Sequence, residues 1–308
     1  MVEGDDARRA VAESTRRTES RRDLARNDRF EEISPEVGEL DEDAFDQFMD
    51  DDLAGALTLL ASLTGATDER LRDLARRLAG RVIVDLARAG VSRRRGIGRI
   101  DSHPAHRAEG DLDLEASLDA IVAARSTRRP LGRDDLTVRA WSRPDTALCL
   151  LVDRSGSMTG ERLAAAAVAA ASVLYRHGRD CSVVAFSDRA MVLKAQDHER
   201  TADDVIGDLL RLRGHGVTDL GLALRTARAQ LDRSRAGRKI TILLSDCRVT
   251  TGGDATSDAA ALEELAIIAP DGDTADADAL AASVGARCVP LAGPSAVPGA
   301  IAAALWES

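Results

Sequence analysis

Two apolar runs constrain this chain more than any other feature. ALCLLVD (147–153) and KITILLSD (239–246) each carry consecutive apolar residues rather than one at every second position. A strand with one face in water alternates, whereas a strand with a continuous apolar run is covered on both faces, as in a parallel sheet flanked by helices. The segments around these runs fit that scheme. Glu161 to His177, Ala202 to Leu212 and Leu220 to Leu231 read as helices. CSVVAFS (181–187) and MVLKA (191–195) read as two strands whose short connection suits a hairpin. ELAIIAP, the helix ADALAASVG, ARCVPLA and a last helix, PGAIAAALW, continue the alternation. The expected class is α/β: a doubly wound, mostly parallel sheet with helices on both faces, preceded by a helical N-terminal region.

Ahead of the alternating part the chain changes character twice. Residues 1–52 mix arginines with acids and become strongly acidic in FEEISPEVGELDEDAFDQFMDDD (30–52), with Ile33, Val37, Leu40, Phe45, Phe48 and Met49 interspersed. Such a composition predicts a disordered acidic arm; a docking segment that orders on a basic groove is the alternative. Residues 53–130 are expected to hold a helical region and a basic linker. Leu71, Leu74, Leu78, Val82 and Leu86 recur at helical spacing, and Gly90 offers a C-cap. VSRRRGIGRIDSHPAHRAEG (91–110) is basic and aperiodic, so a solvated loop is expected. His103 and His106 stand there without a third ligand nearby, which argues against a metal site. DLDLEASLDAIVAAR (111–125) reads as a short helix or a strand-to-helix element and LTVRAW (136–141) as a half-exposed strand. The main domain is expected over residues 131–308.

Bulk properties narrow the partners. The 308 residues carry a net charge of −10, and aromatics make up 2%. An acidic surface repels phosphates and so few aromatics leave little stacking area, so no nucleic-acid partner is expected. No apolar run approaches a membrane span and the first residues carry no hydrophobic signal segment; a cytoplasmic protein without membrane contact is expected. Cys149, Cys181, Cys247 and Cys288 are widely spaced in or beside apolar runs, unlike the close pairs of zinc sites, and read as reduced thiols.

The chemistry is expected where the strands end. In open α/β sheets ligands sit outside the carboxyl ends of the strands. Asp153 ends one buried run and Asp246 the other, and the loop RGHGVTD brings Thr218 and Asp219 to the start of a helix. In DRSGSM, Asp153, Ser155 and Ser157 fall at every second position, so an extended loop points three oxygens one way. With Thr218 and Asp246 they make an all-oxygen set suited to a hard divalent ion, Mg²⁺ or Mn²⁺. Its charge is low, which leaves an ion there electrophilic toward a carboxylate from another protein. Ser157 and Thr159 are also good N-cap residues for the following helix.

LLVDRSGSM resembles the Asp-x-Ser-x-Ser signature of von Willebrand factor A (VWA) domains, the metal-ion-dependent adhesion site. Thr218 and Asp246 match that family's downstream threonine and strand-ending aspartate in order and context, over residues 136–308. The resemblance implies that Asp153, Ser155, Ser157 and Thr218 are metal-ligand positions and that Asp246 acts mainly through water. Two positions depart from the family: GHGVT stands where Gly-Gly-Thr is common, and Cys247 follows Asp246 where glycine is usual, which implies a looser turn. His215, in the first of these loops, reads as a surface residue.

Within the family, GDLDLEASLDAI, a basic stretch and then DRSGSM are similar to the prokaryotic intracellular branch. That branch includes carbon-monoxide-dehydrogenase accessory proteins, integrating subunits of magnesium and cobalt chelatases, and partners of MoxR-type AAA+ ATPases. The implied role is an adaptor that couples an AAA+ ATPase to a client protein offering an Asp or Glu to the metal, in metal-centre or cofactor maturation. The chain has no G-x-x-x-x-G-K-[ST] motif, so ATP hydrolysis belongs to the partner. Two other readings remain. A phosphohydrolase of the haloacid-dehalogenase type uses Asp-x-Asp at such a strand end, but Ser155 in place of the second aspartate does not act as a general acid at neutral pH. A serine hydrolase lacks its G-x-S-x-G, so no enzyme is expected. A VWA-fold domain that has lost metal binding is the other.

Overall fold

The computed structural model describes residues 1–14, 18–89, 99–105, 111–127, 129–142, 146–154, 160–177, 180–212 and 216–305. Six helices come first: α1 (Asp5–Ser14), α2 (Arg21–Leu24), α3 (Phe30–Ile33), α4 (Glu42–Asp51), α5 (Leu53–Leu63) and α6 (Glu69–Ala89). β1 (Arg99–Pro104), β2 (Asp111–Leu112), α7 (Leu114–Ser126) and β3 (Thr137–Ser142) follow. The remainder runs β4 (Thr146–Asp153), α8 (Glu161–His177), β5 (Cys181–Phe186), β6 (Ala190–Lys194), α9 (Ala202–Arg211), α10 (Leu220–Leu231) and β7 (Arg238–Leu244). It ends with α11 (Ala255–Ala260), β8 (Glu264–Pro270), α12 (Ala275–Val284), β9 (Arg287–Leu291) and α13 (Val297–Leu305).

The two apolar runs become β4 and β7, neighbours in the middle of a six-stranded sheet of order β6-β5-β4-β7-β8-β9. β4 pairs with β5, β7 with β8 and β8 with β9 in parallel, while β5 and β6 form the expected antiparallel hairpin. Successive β4 side chains enter opposite cores. Leu148, Leu150 and Val152 join the core built with α5, α6, α8, α9 and α13, while Ala147, Cys149 and Leu151 join the one built with α10, α11 and α12. That two-sided burial explains the continuous apolar run. At roughly 1.5–3 kcal/mol for each buried Leu or Val, β4 is held firmly in place, and Asp153 at its end is a fixed point.

Residues 1–52, expected as a disordered arm, instead supply four helices. Phe30, Ile33, Phe45 and Phe48 are buried in the core that includes α8. The acids serve helix ends and ion pairs: the Asp41 carboxylate accepts from Ala44 N (3.0 Å) and Asp52 from Gly55 N (2.9 Å). Arg29 pairs with Glu32 and Asp51, and Arg81 with Glu42. Apolar residues at helical spacing thus outweigh the acidic composition.

The division of the chain also differs from the expected boundaries at 52/53 and 130/131. One compact unit comprises residues 1–92 with 147–308, and a second comprises residues 93–146. β3 therefore lies outside the six-stranded sheet, in an antiparallel sheet of order β1-β3-β2. Residues 99–104, expected within a solvated loop, form β1 because β3 supplies them a pairing partner over six residues; cross-strand pairing, not periodicity, makes this strand.

Asp113 organises the smaller unit. Its carboxylate accepts from Ser102 Oγ (2.7 Å), from Ala116 N (3.1 Å) at the start of α7, and from Arg139 Nε (3.0 Å) on β3. The Ser102 hydrogen bond, with the Ala116 amide and Arg139, holds the carboxyl below the ordinary aspartate value of 3.8. A depressed folded-state value contributes stability that is present above the unfolded value and is lost as pH falls through the folded one. Protection from amide hydrogen exchange in residues 99–104 and 137–142, relative to the intrinsic rate at each pH, is therefore expected to fall below about pH 3.8 in the native chain. Asp113→Asn should weaken protection at neutral pH and flatten that acid limb; an unchanged acid limb would show that Asp113 does not hold the unit.

Candidate functional site

β4 and β7 are neighbours in the sheet, and residues at and just beyond their carboxyl ends line one cavity. Asp153 and Asp246 are each 7% exposed, and both line a small cavity of about 40 Å³ with Arg162, Ala165, Leu244, Ser245, Pro270 and Leu291. Ser245 ties the strand ends together: its Oγ donates to Asp153 Oδ2 (2.6 Å) and accepts from Cys247 N (2.9 Å). Asp246 is held at both oxygens, with Oδ1 accepting from Arg248 N (3.1 Å) and Oδ2 from Arg162 Nη1 (3.2 Å). The Arg162 guanidinium also lies 3.8 Å from Asp273 Oδ2, and Arg248 reaches Asp273 at 2.6 Å.

Thr218 is 2% exposed and is fixed to the loop that follows β7. Its N–H donates to Thr250 Oγ1 (2.7 Å), and its carbonyl accepts from the N–H groups of Thr250 and Thr251 (3.3 Å each). The neighbouring Asp219 caps α10 through Leu222 N (2.9 Å) and donates its own N–H to Ser187 O (2.9 Å) at the end of β5. Gly252 has φ +96, and a Cβ there would stand 2.8 Å from Asp219 Oδ1, so a glycine is needed where these loops cross. The buried Arg154 closes the ring, donating N–H to Phe186 O (2.7 Å) and Nη2 to Ser187 Oγ (3.2 Å).

The structure thus brings Asp153 and Asp246 to one cavity and anchors Thr218 to the loop that follows Asp246. Ser155 and Ser157, together with Thr159 and His215, lie outside the described residues. The chain resumes at Gly160, which has φ +52 and whose Cβ would meet Thr58 Cγ2 of α5 at 3.0 Å. Gly160 therefore lies close against α5. Ser245, Arg162 and Arg154 were not singled out from sequence. Ser245 immediately precedes Asp246, and a strand-end hydroxyl beside a strand-end carboxylate was the available signal.

Cys247, directly after Asp246, adopts a backbone conformation that favours glycine. Its φ is +61, the left-handed region, in place of the looser turn expected for a non-glycine residue. For a residue with a Cβ this costs roughly 1–2 kcal/mol. Burial, then the charges of Asp153 and Asp246, push its thiol well above the ordinary cysteine value, so it is a protonated neighbour of the carboxylates. Burial likewise pushes Cys149 up to about 12. Among the described residues, Glu3, Asp197 and His198 are a separate group of possible ligand atoms, but Arg233 pairs with both acids there.

A mostly parallel sheet with helices on both faces, and an Asp, a Thr and a second Asp delivered by its strand-end loops, define a VWA-type domain. Residues 148–249 match the family model described as von Willebrand factor type A domain. No curated protein matches the chain. Among solved structures it is similar to a von Willebrand factor type A protein from Catenulispora acidiphila, with 17% identity, 53% of this chain and 42% of that chain covered, and TM-score 0.42. It is similar to proximal thread matrix protein 1 from the mussel byssus with a zinc-occupied MIDAS motif (16% identity, 52% and 47% covered, TM-score 0.43). It is also similar to an aerotolerance-related membrane protein from Bacteroides fragilis (15% identity, 52% and 97% covered, TM-score 0.40). The chain spans less than half the length of the first two.

Removing the Ser245 hydroxyl takes a donor from the buried Asp153 carboxylate and the acceptor from Cys247 N–H. Ser245→Ala is expected to lower unfolding free energy by about 1–3 kcal/mol in urea titration. No measurable change would mean that the two strand ends are not coupled through Ser245.

Proposed function

We propose that the chain is a protein-interaction adaptor that holds a Mg²⁺ or Mn²⁺ ion at the carboxyl ends of β4 and β7. The observation that carries this reading is two buried carboxylates, Asp153 and Asp246, lining one cavity, with the buried Thr218 pinned to the adjoining loop. These donors are hard oxygens, which suits either ion. Asp153 is the direct carboxylate, Thr218 and the serines at 155 and 157 supply hydroxyls, and Asp246 acts through water. When bound, the ion offers an electrophilic position that an Asp or Glu of another protein fills.

The chain's own groups keep this arrangement in place. Ser245 orients Asp153, while the Arg248 amide and Arg162 fix the plane of the Asp246 carboxylate. The partner we propose is a MoxR-type AAA+ ATPase or its client, in metal-centre or cofactor maturation in the cytoplasm. No helix among the described residues is long and apolar enough to cross a membrane, which suits that setting.

Isothermal titration of the full chain with Mg²⁺ is expected to show binding that Asp153→Ala abolishes; identical curves for the two would sink the metal assignment. Capture of the ATPase or client should be lost on chelation and in Ser155→Ala, and capture insensitive to both would remove the adaptor role. We also propose that the domain is not an enzyme: a generic aryl phosphate should turn over no faster with the native chain than with Asp153→Ala. Turnover that depends on Asp153 would favour a phosphohydrolase.

A further inference from the structure

Arg162 stands in the first turn of α8, immediately beyond the Asp-x-Ser-x-Ser motif, and its guanidinium reaches across the cavity to Asp246 Oδ2 (3.2 Å). The charged residues lining that cavity are Asp153, Asp246 and Arg162. Asp246 is therefore neutralised from within before any ion arrives. The second acidic neighbour of Arg162, Asp273 at 3.8 Å, is held more closely by Arg248 at 2.6 Å, so the nearer partner of Arg162 is Asp246. The cavity presents a net charge of about −1 to a divalent cation, half of what two free carboxylates present.

We propose that Arg162 sets the affinity of the ion site and makes stable ion binding depend on the partner. The proposal rests on the metal reading above and specifies its regulation. With Arg162 in place, a divalent ion facing Asp153 and the Asp246–Arg162 pair carries one uncompensated positive charge. A carboxylate from the partner protein supplies the missing negative charge, so ion and partner bind tightly only together. A guanidinium also repels a cation directly, and beside the buried Asp153 and Asp246 solvent screens that repulsion only in part. Without the arginine, Asp153 and Asp246 balance the ion by themselves, and the ion binds tightly without a partner. Arg162 is thus a positioning and charge-setting residue, not a metal ligand.

The test is Mn²⁺ binding to the full chain without a partner, followed by electron paramagnetic resonance of free Mn²⁺, in the native protein, Arg162→Met, Arg162→Lys and Asp153→Ala. Arg162→Met is expected to bind Mn²⁺ at least ~10-fold more tightly than the native chain, and Arg162→Lys, which keeps the charge, to tighten it far less. Arg162→Gln repeats the measurement with a different neutral side chain in case the methionine variant fails to fold, as read by thermal unfolding without metal. Equal or weaker Mn²⁺ binding in both neutral variants, with Asp153→Ala still abolishing it, would overturn the role of Arg162 and leave the metal site standing. Mn²⁺ binding that ignores Asp153→Ala, or that no variant shows, would overturn the metal site and this proposal with it.

Discussion

The site depends on one short contact, the hydrogen bond from Ser245 Oγ to Asp153 Oδ2 at 2.6 Å. It joins the carboxyl ends of the two central strands of the sheet, and it puts a carboxylate where the sheet's two cores stop. The same hydroxyl accepts Cys247 N–H, so the left-handed turn after β7 and the orientation of Asp153 are fixed by one side chain. Around this point the other loops are strung by backbone hydrogen bonds: the loop at Thr218 to Thr250 and Thr251, Asp219 to Ser187, and Arg154 to Phe186. Charged groups are held there by strands and loop backbones instead of by flexible side chains alone, which is what a preorganised ion site requires.

The N-terminal helices are part of the same construction. Residues 164–171 of α8 are buried throughout, so the helix has no solvent face in its middle. The sheet covers one side, and helices α5, α6 and α9, packed with α8 in a single core, cover the rest. Alanine at most of these positions lets neighbouring helices come close, and the contact of Gly160 with Thr58 lies where the motif's loop enters α8.

Much of this was legible in the sequence because burial leaves a periodic trace. The continuous apolar runs gave β4 and β7, and strand-end Asp153 and Asp246 followed from where such runs stop. The helix from Glu161 to His177 and the hairpin of CSVVAFS with MVLKA stand as read. Two features were hidden for physical reasons. β1 has no alternation of its own and exists through pairing with β3, which lies more than thirty positions away. The folded state of residues 30–52 was masked by acidic composition, although Phe30, Ile33, Phe45 and Phe48 are buried in the core that includes α8. At the site, the pairing of Arg162 with Asp246 joins residues 84 positions apart, which leaves no local trace in the sequence.

The most direct measurement of the central claim is anomalous diffraction from crystals of the full chain grown with Mn²⁺. A single peak is expected beside Asp153, bounded by the hydroxyls of Ser155, Ser157 and Thr218 at about 2.0–2.2 Å, with Asp246 one water away. A peak at Glu3, Asp197 and His198 instead, or no peak at the strand ends at saturating Mn²⁺, would contradict it.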